Sequence, residues 1–173
     1  MILSSHAVVG AALASLMPSH PLTAFAVGFA SHFALDAIPH VDYPITSRSV
    51  NPDIGAPIVF DTALWRDVLT IGFDGLFGTA VAIVLFGSAA TLWTVLLGAV
   101  GAMLPDPLQV VQAHFPSQPL RALQRFHRWA HSDKQVHGLM LGVGTQAAFV
   151  AAVCGIASVI NHGAFATAAA MVR

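Results

Sequence analysis

The chain has 173 residues, 56% of them hydrophobic and 9% charged, with a mean hydropathy of +0.75. That composition lies outside the range of ordinary soluble domains and is that of an integral membrane protein. The formal net charge of -1 and the absence of a basic stripe exclude nucleic acid as a partner. The single cysteine, Cys154, excludes an internal disulfide framework and a CxxC metal site, and its apolar surroundings suit a small lipid-facing or core-facing residue.

In chain order, apolar stretches predict helices at about 4–17, 22–38, 68–87, 91–104 and 136–160. The first resembles the apolar core of a signal peptide, but it lacks a basic leader and His6 interrupts it, so a retained helix is expected. Pro18-Ser-His-Pro21 and Gly87-Ser-Ala-Ala90 read as tight turns, and 39–67 and 105–135 as two long polar connectors. The expected fold is therefore all-α: one integral membrane domain over 1–173, a polytopic bundle of about five transmembrane helices.

Five passages put the amino terminus and both long connectors on one side. Arg48, Arg66, Arg121, Arg125, Arg128 and Lys134 fall there, against Arg173 on the other side. The positive-inside bias makes the first side cytoplasmic, in a bacterial-type inner membrane.

The same topology gathers polar residues at the cytoplasmic end of the bundle. His6 begins the first helix, while His32 and Asp36 end the second, with His40 just beyond. Asp74 lies early in the third, Asp106 follows the fourth, and His127 and His131 precede the fifth. His20 and His162 fall at the opposite end. Imidazole and carboxylate are ligands for zinc or manganese, and ionisable groups at membrane depth read first as functional.

His32 and Asp36 are four apart, as are His127 and His131, so each pair shares a helix face and can grip one ion. Pro39 turns His40 back toward them, and Pro105 and Pro107 fix Asp106 on a rigid corner. The blander alternatives are an interfacial helix with accidental HxxxH spacing and a hydrogen-bonded His32–Asp36 pair that glues helices together.

One or two divalent ions, zinc or manganese, are the expected cofactors, with His6, His32, Asp36, Asp106, His127 and His131 as ligands and His40 as a possible addition. Asp106, Asp36 and Asp74 are the candidate catalytic acids. Asp74 can equally orient a ligand histidine or serve packing near Gly72 and Gly75. Such an ion acidifies bound water, so hydrolysis through a metal-activated water is the reaction class implied. Arg128, Arg125, Arg66 and Arg48 suit a phosphoester or lipid head group, or simply the phosphates of the surrounding bilayer. Asp42, Asp53, Asp61 and Asp67 read as a solvated loop in which one residue can act as general base. His114 and His137 carry no expected metal role, and Gly138 and Gly142 are expected to permit close helix packing.

His6 with its small-residue helix, Gly101-Ala-Met-Leu-Pro-Asp106 and His127-Arg-Trp-Ala-His131-Ser132 resemble the motifs of the bacterial membrane-bound metal-dependent hydrolases, the YdjM-like group. The similarity runs over most of the chain and implies a metal-dependent hydrolase of poorly defined substrate. The chain departs from that pattern at Pro107-Leu108, where the family has a second aspartate. It also departs within 127–131, where the family has a glycine after the arginine and a threonine before the second histidine. His32-x-x-x-Asp36 is also similar to the His-x-x-x-Asp helix of zinc-dependent phospholipases C and related nucleases. The expectation from another class is a metal-ion or proton-coupled transporter. A third, a non-catalytic structural membrane protein, implies no bound metal.

Overall fold

A computed structural model describes residues 1–47, 59–132, 136 and 139–171, with side chains to 162 in the last stretch. Arg48, Asp53, Lys134, His137, Gly138 and Arg173 lie outside the residues or side chains so described.

Among the described residues the chain forms seven helices and no strand: α1 (Leu3–Ser15), α2 (Pro21–Asp36), α3 (Thr62–Phe86), α4 (Leu92–Met103), α5 (Pro105–His114), α6 (Leu120–Ala130) and α7 (Leu139–Met171). All five expected helices are present. The segment 105–135, expected as a polar connector, instead holds α5 and α6. Pro105 sits at the first position of α5, where its missing N–H costs nothing. It therefore restarts the helix after a 45° bend instead of ending it.

Helix α3 also starts six residues earlier than expected, because the Asp61 carboxylate caps it by accepting from the Leu64 N–H at 2.8 Å.

Thr62–Phe86 and Met140–His162 are long and apolar enough to cross a bilayer, and the bent α4–α5 pair makes a third if it forms one span. These helices are consistent with membrane association. The short α1 is not a lone span: eleven of its thirteen residues are buried, so neighbouring helices rather than lipid surround it. It packs against α2, α3, α4 and α7, and α4 packs along α2.

Small residues permit that packing. A Cβ on Gly10 would lie 2.4 Å from the Gly98 carbonyl oxygen, one on Gly28 2.2 Å from the same atom, and one on Gly101 2.4 Å from the Phe25 carbonyl oxygen. The backbones of α1, α2 and α4 touch there, and this contact brings the site-bearing ends of the three helices together. Gly142 plays a similar part on α7, against Val41.

Candidate metal centre

Asp36, 1% exposed at the end of α2, is the hub. Its Oδ2 lies 3.0 Å from His127 Nε2 and 3.1 Å from His32 Nε2, and those two nitrogens are 3.2 Å apart. Asp106 Oδ1 stands 3.5 Å from His32 Nε2. On the other oxygen, Oδ1 faces His6 Nε2 at 3.2 Å, the Met1 α-ammonium at 2.7 Å and His40 Nε2 at 3.9 Å.

Ligand atoms converge into two groups that share Asp36: His32, Asp36, Asp106 and His127 in one, and Asp36, His40 and His131 in the other. These buried clusters can hold a metal ion.

The protonation pattern supports that fit. His32 Nδ1 lies 2.8 Å from the Ala102 carbonyl, His40 Nδ1 2.6 Å from that of Ile38, and His131 Nδ1 3.1 Å from that of Ser132. A carbonyl only accepts, so each Nδ1 carries the proton and each Nε2 presents a lone pair inward, as metal-bound histidines do. A lone pair on His32 Nε2 facing the Asp36 carboxylate is repulsive unless a cation lies between them or the ring takes a second proton.

The spacings also suit a cation. Metal bonds of 2.0–2.1 Å put neighbouring ligand atoms about 3.3 Å apart in a tetrahedron. Neither ring nitrogen of buried His6 is aligned for a hydrogen bond, nor is His40 Nε2 or His127 Nδ1. Buried polar atoms left this way are costly without another partner.

The four-residue spacings fare differently. His32 and Asp36 share one face of α2, as expected. His127 and His131 do not act as a pair, because α6 ends at Ala130 and His131 continues in extended backbone. Their rings are 6.1 Å apart and face different groups. The loops after α2 and α6 run side by side, with the Ser132 N–H donating to the Asp36 carbonyl at 2.7 Å and the Val136 N–H to that of His40 at 3.1 Å. That pairing brings His131 beside His40, their ring centroids 4.8 Å apart.

Asp42, expected in a solvated loop, joins the second group. Its Oδ1 lies 3.0 Å from His40 Nε2 and 2.9 Å from the Met1 ammonium, and its Oδ2 lies 3.6 Å from His131 Nε2. Burial opposes its ionisation, but His40 and the ammonium outweigh that and hold the carboxyl well below the usual carboxylate range. Burial likewise opposes charging of His40, whose titration the Asp42 carboxylate nonetheless raises. The His40-Val-Asp42 spacing after a helix-ending proline is the sequence signal for this group.

Asp74 stands apart from both groups. Its Oδ2 accepts from the Ser4 N–H at 2.7 Å and from the Tyr43 hydroxyl, which also accepts from the Leu3 N–H at 2.8 Å. It positions the start of α1, and with it His6, instead of meeting a ligand. Exchanging Asp74 for Asn is therefore expected to cost about 1–3 kcal/mol of stability. The loss is read as a lower melting temperature in detergent, with metal content of the folded fraction retained; an unchanged melting curve contradicts this role.

Gln146 is a comparable residue that sequence reasoning missed. It joins α7 to the loop through the Val41 carbonyl at 2.8 Å and lies 3.4 Å from both the Ile2 N–H and the Ser5 hydroxyl. A glutamine inside an apolar span was its signal.

Among the described residues no arginine joins the cluster. Arg66 bonds Thr46 and pairs with Asp67 at 3.2 Å, and Asp67 is an acceptor for the Thr46 and Ser47 N–H groups rather than a solvated acid. Arg125 and Arg128 are exposed on α6. His20 and His162 are exposed as well, His20 beyond the far end of α1.

No family model, curated protein or solved structure matches the chain. The site defines it only as an all-helical protein with buried His/Asp clusters able to hold metal.

Proposed function

We propose that the chain is a multi-pass inner-membrane hydrolase that uses one or two divalent ions, zinc or manganese, on a phosphoester or lipid-like substrate. The observation that carries the reading is the convergence of imidazole Nε2 atoms on the two oxygens of Asp36, with His32 and His40 oriented by backbone carbonyls. It agrees with the resemblance to the YdjM-like hydrolases.

His32, Asp36, Asp106 and His127 hold the first ion, with His6 stacked on His32 at a centroid separation of 4.1 Å. Asp36, His40 and His131 would hold the second, with His40 as its neutral ring. A divalent ion in such a site supplies Lewis acidity and an acidified water. Asp42, ionised and about one-third exposed, lies at the solvent edge of the second group. Asp106, also partly exposed, accepts from the Gln109 amide at 3.0 Å on Oδ1, the oxygen that stands 3.5 Å from His32 Nε2.

Depth supports a lipid substrate. Asp74 comes twelve residues after Thr62 along α3, and Gln146 six after Met140 along α7; at 1.5 Å per residue they put the start of α1 about 9–18 Å inside the apolar spans. The basic residues gathered on α6, with Arg66 early in α3, favour a cytoplasmic position for this end.

A transporter needs polar groups to continue past the site. Behind it, α1, α3 and α4 bury Ala7, Ala11, Ala82, Val95 and Ala99 against one another. That apolar plug favours a site open on one side.

Metal analysis of the purified protein is expected to find about one to two ions per chain, with a marked loss in His127→Ala and in His131→Ala. Equal metal in all three removes the site. A screen of phosphomonoester, phosphodiester and carboxylester substrates with added zinc or manganese then tests catalysis. Bound metal without turnover on any of them favours the transporter reading.

A further inference from the structure

Helix α6 presents three distinct faces. At about 100° per residue, Arg121, Arg125 and Arg128 fall within about 60° of one another, and all three are exposed. Beside them run Phe126 and Trp129, 46% and 80% exposed, with ring centroids 5.7 Å apart. The third face is buried and carries Gln124 and His127. Phe126 also meets Phe33 of α2 edge-on at 4.9 Å, which fixes the helix against the bundle. Among the described residues the one arginine–carboxylate pair is Arg66–Asp67, and none of the three guanidinium groups of α6 meets a carboxylate there.

Exposed aromatic rings beside a row of arginines are complementary to one surface: an anionic bilayer, with phosphates at head-group level and acyl carbons just beneath. Water alone satisfies the arginines and not the rings. A protein groove satisfies the rings and needs acidic groups of its own.

We infer that α6 lies along the cytoplasmic face of the membrane as an anionic-phospholipid binding helix, its arginines on lipid phosphates and its Phe126 and Trp129 among the acyl chains. The inference rests on the membrane reading proposed above. It adds a link between lipid and site, because the same helix carries His127 into contact with Asp36 at 3.0 Å. A lipid seated against Arg128 is thus one residue from a metal ligand, and α6 selects which head groups approach the centre.

The test uses the full chain with Trp65 and Trp93 changed to Phe, leaving Trp129 as the sole tryptophan. The protein is placed in nanodiscs of phosphatidylcholine, or of phosphatidylcholine with one-third phosphatidylglycerol. Lipid brominated near the carbonyl end of its acyl chains is expected to lower Trp129 emission about twofold in the anionic discs, with acrylamide quenching reduced by a similar factor. The combined Arg121→Gln, Arg125→Gln and Arg128→Gln variant is expected to lose the difference between neutral and anionic discs while keeping its melting temperature.

Acrylamide access equal to that of free tryptophan, or bromine quenching indifferent to both phosphatidylglycerol and the arginines, overturns the inference. Neither readout uses metal or turnover, so failure here is separable from failure of the hydrolase reading.

Discussion

Asp36→Asn is expected to empty both halves of the cluster at once. The two carboxylate oxygens face different partners: His32 and His127 on Oδ2, His6 and His40 on Oδ1. An asparagine keeps the shape but gives up the charge and turns an N–H₂ toward one set of lone pairs. Ligand loss costs at least the 10–100-fold in metal affinity typical of orienting residues, so the proposed hydrolysis is expected to fall by about 10²–10³-fold or more.

Metal content of the purified variant, followed by turnover at saturating zinc or manganese, measures both effects. His20→Ala is the comparison, since His20 is exposed away from the cluster. If Asp36→Asn retains full metal, Asp36 is not the hub.

Gly98→Val is expected to cause the largest loss of stability from a site with no chemistry of its own. A Cβ at this position would sit 2.5 Å from the Ala14 Cβ and 2.6 Å from the Gly10 carbonyl oxygen, and the Gly98 carbonyl itself abuts Gly10 and Gly28. Backbone atoms cannot rotate aside as a flexible side chain does, so α4 must move away from α1. Overpacking usually costs about 1–3 kcal/mol, and a clash with a helix backbone lies at or above the top of that range.

The measurable outcome is a melting temperature in detergent well below that of the parent, together with loss of bound metal. Splaying α4 carries away the Ala102 carbonyl that orients His32, and Asp106 beyond it. A variant that melts normally and holds metal means the three helices are not in backbone contact.

Helix positions were legible because apolar runs bounded by proline and glycine leave few alternatives, as at 21–36 and 92–103. The convergence of His6, His32, Asp36, Asp106 and His127 followed from counting passages, since alternating helices return the same ends to the same level. Segment 105–135 was misread because its composition is polar, and only the pattern of Arg121, Arg125 and Arg128 against Phe126 and Trp129 distinguishes an amphipathic helix from a loop.

The separation of His127 from His131 was not legible either. Spacing of four implies a shared face only while the helix lasts, and α6 stops at Ala130. Asp42 and Asp67 looked solvated because acids in a connector usually are. What recruits them is tertiary: the side-by-side loops for Asp42, and the Thr46 and Ser47 N–H groups for Asp67.

The enclosure of α1 has a consequence for biogenesis. It precedes the other helices along the chain, yet thirteen residues reach only about 20 Å and cannot anchor themselves across a 30 Å hydrocarbon layer. Its lasting shelter comes from α3, α4 and α7, translated later. The nest able to hold a cation is thus completed by the final third of the polypeptide, and a nascent chain halted after α5 would present His6 and Asp36 without His127 and His131 to close around it.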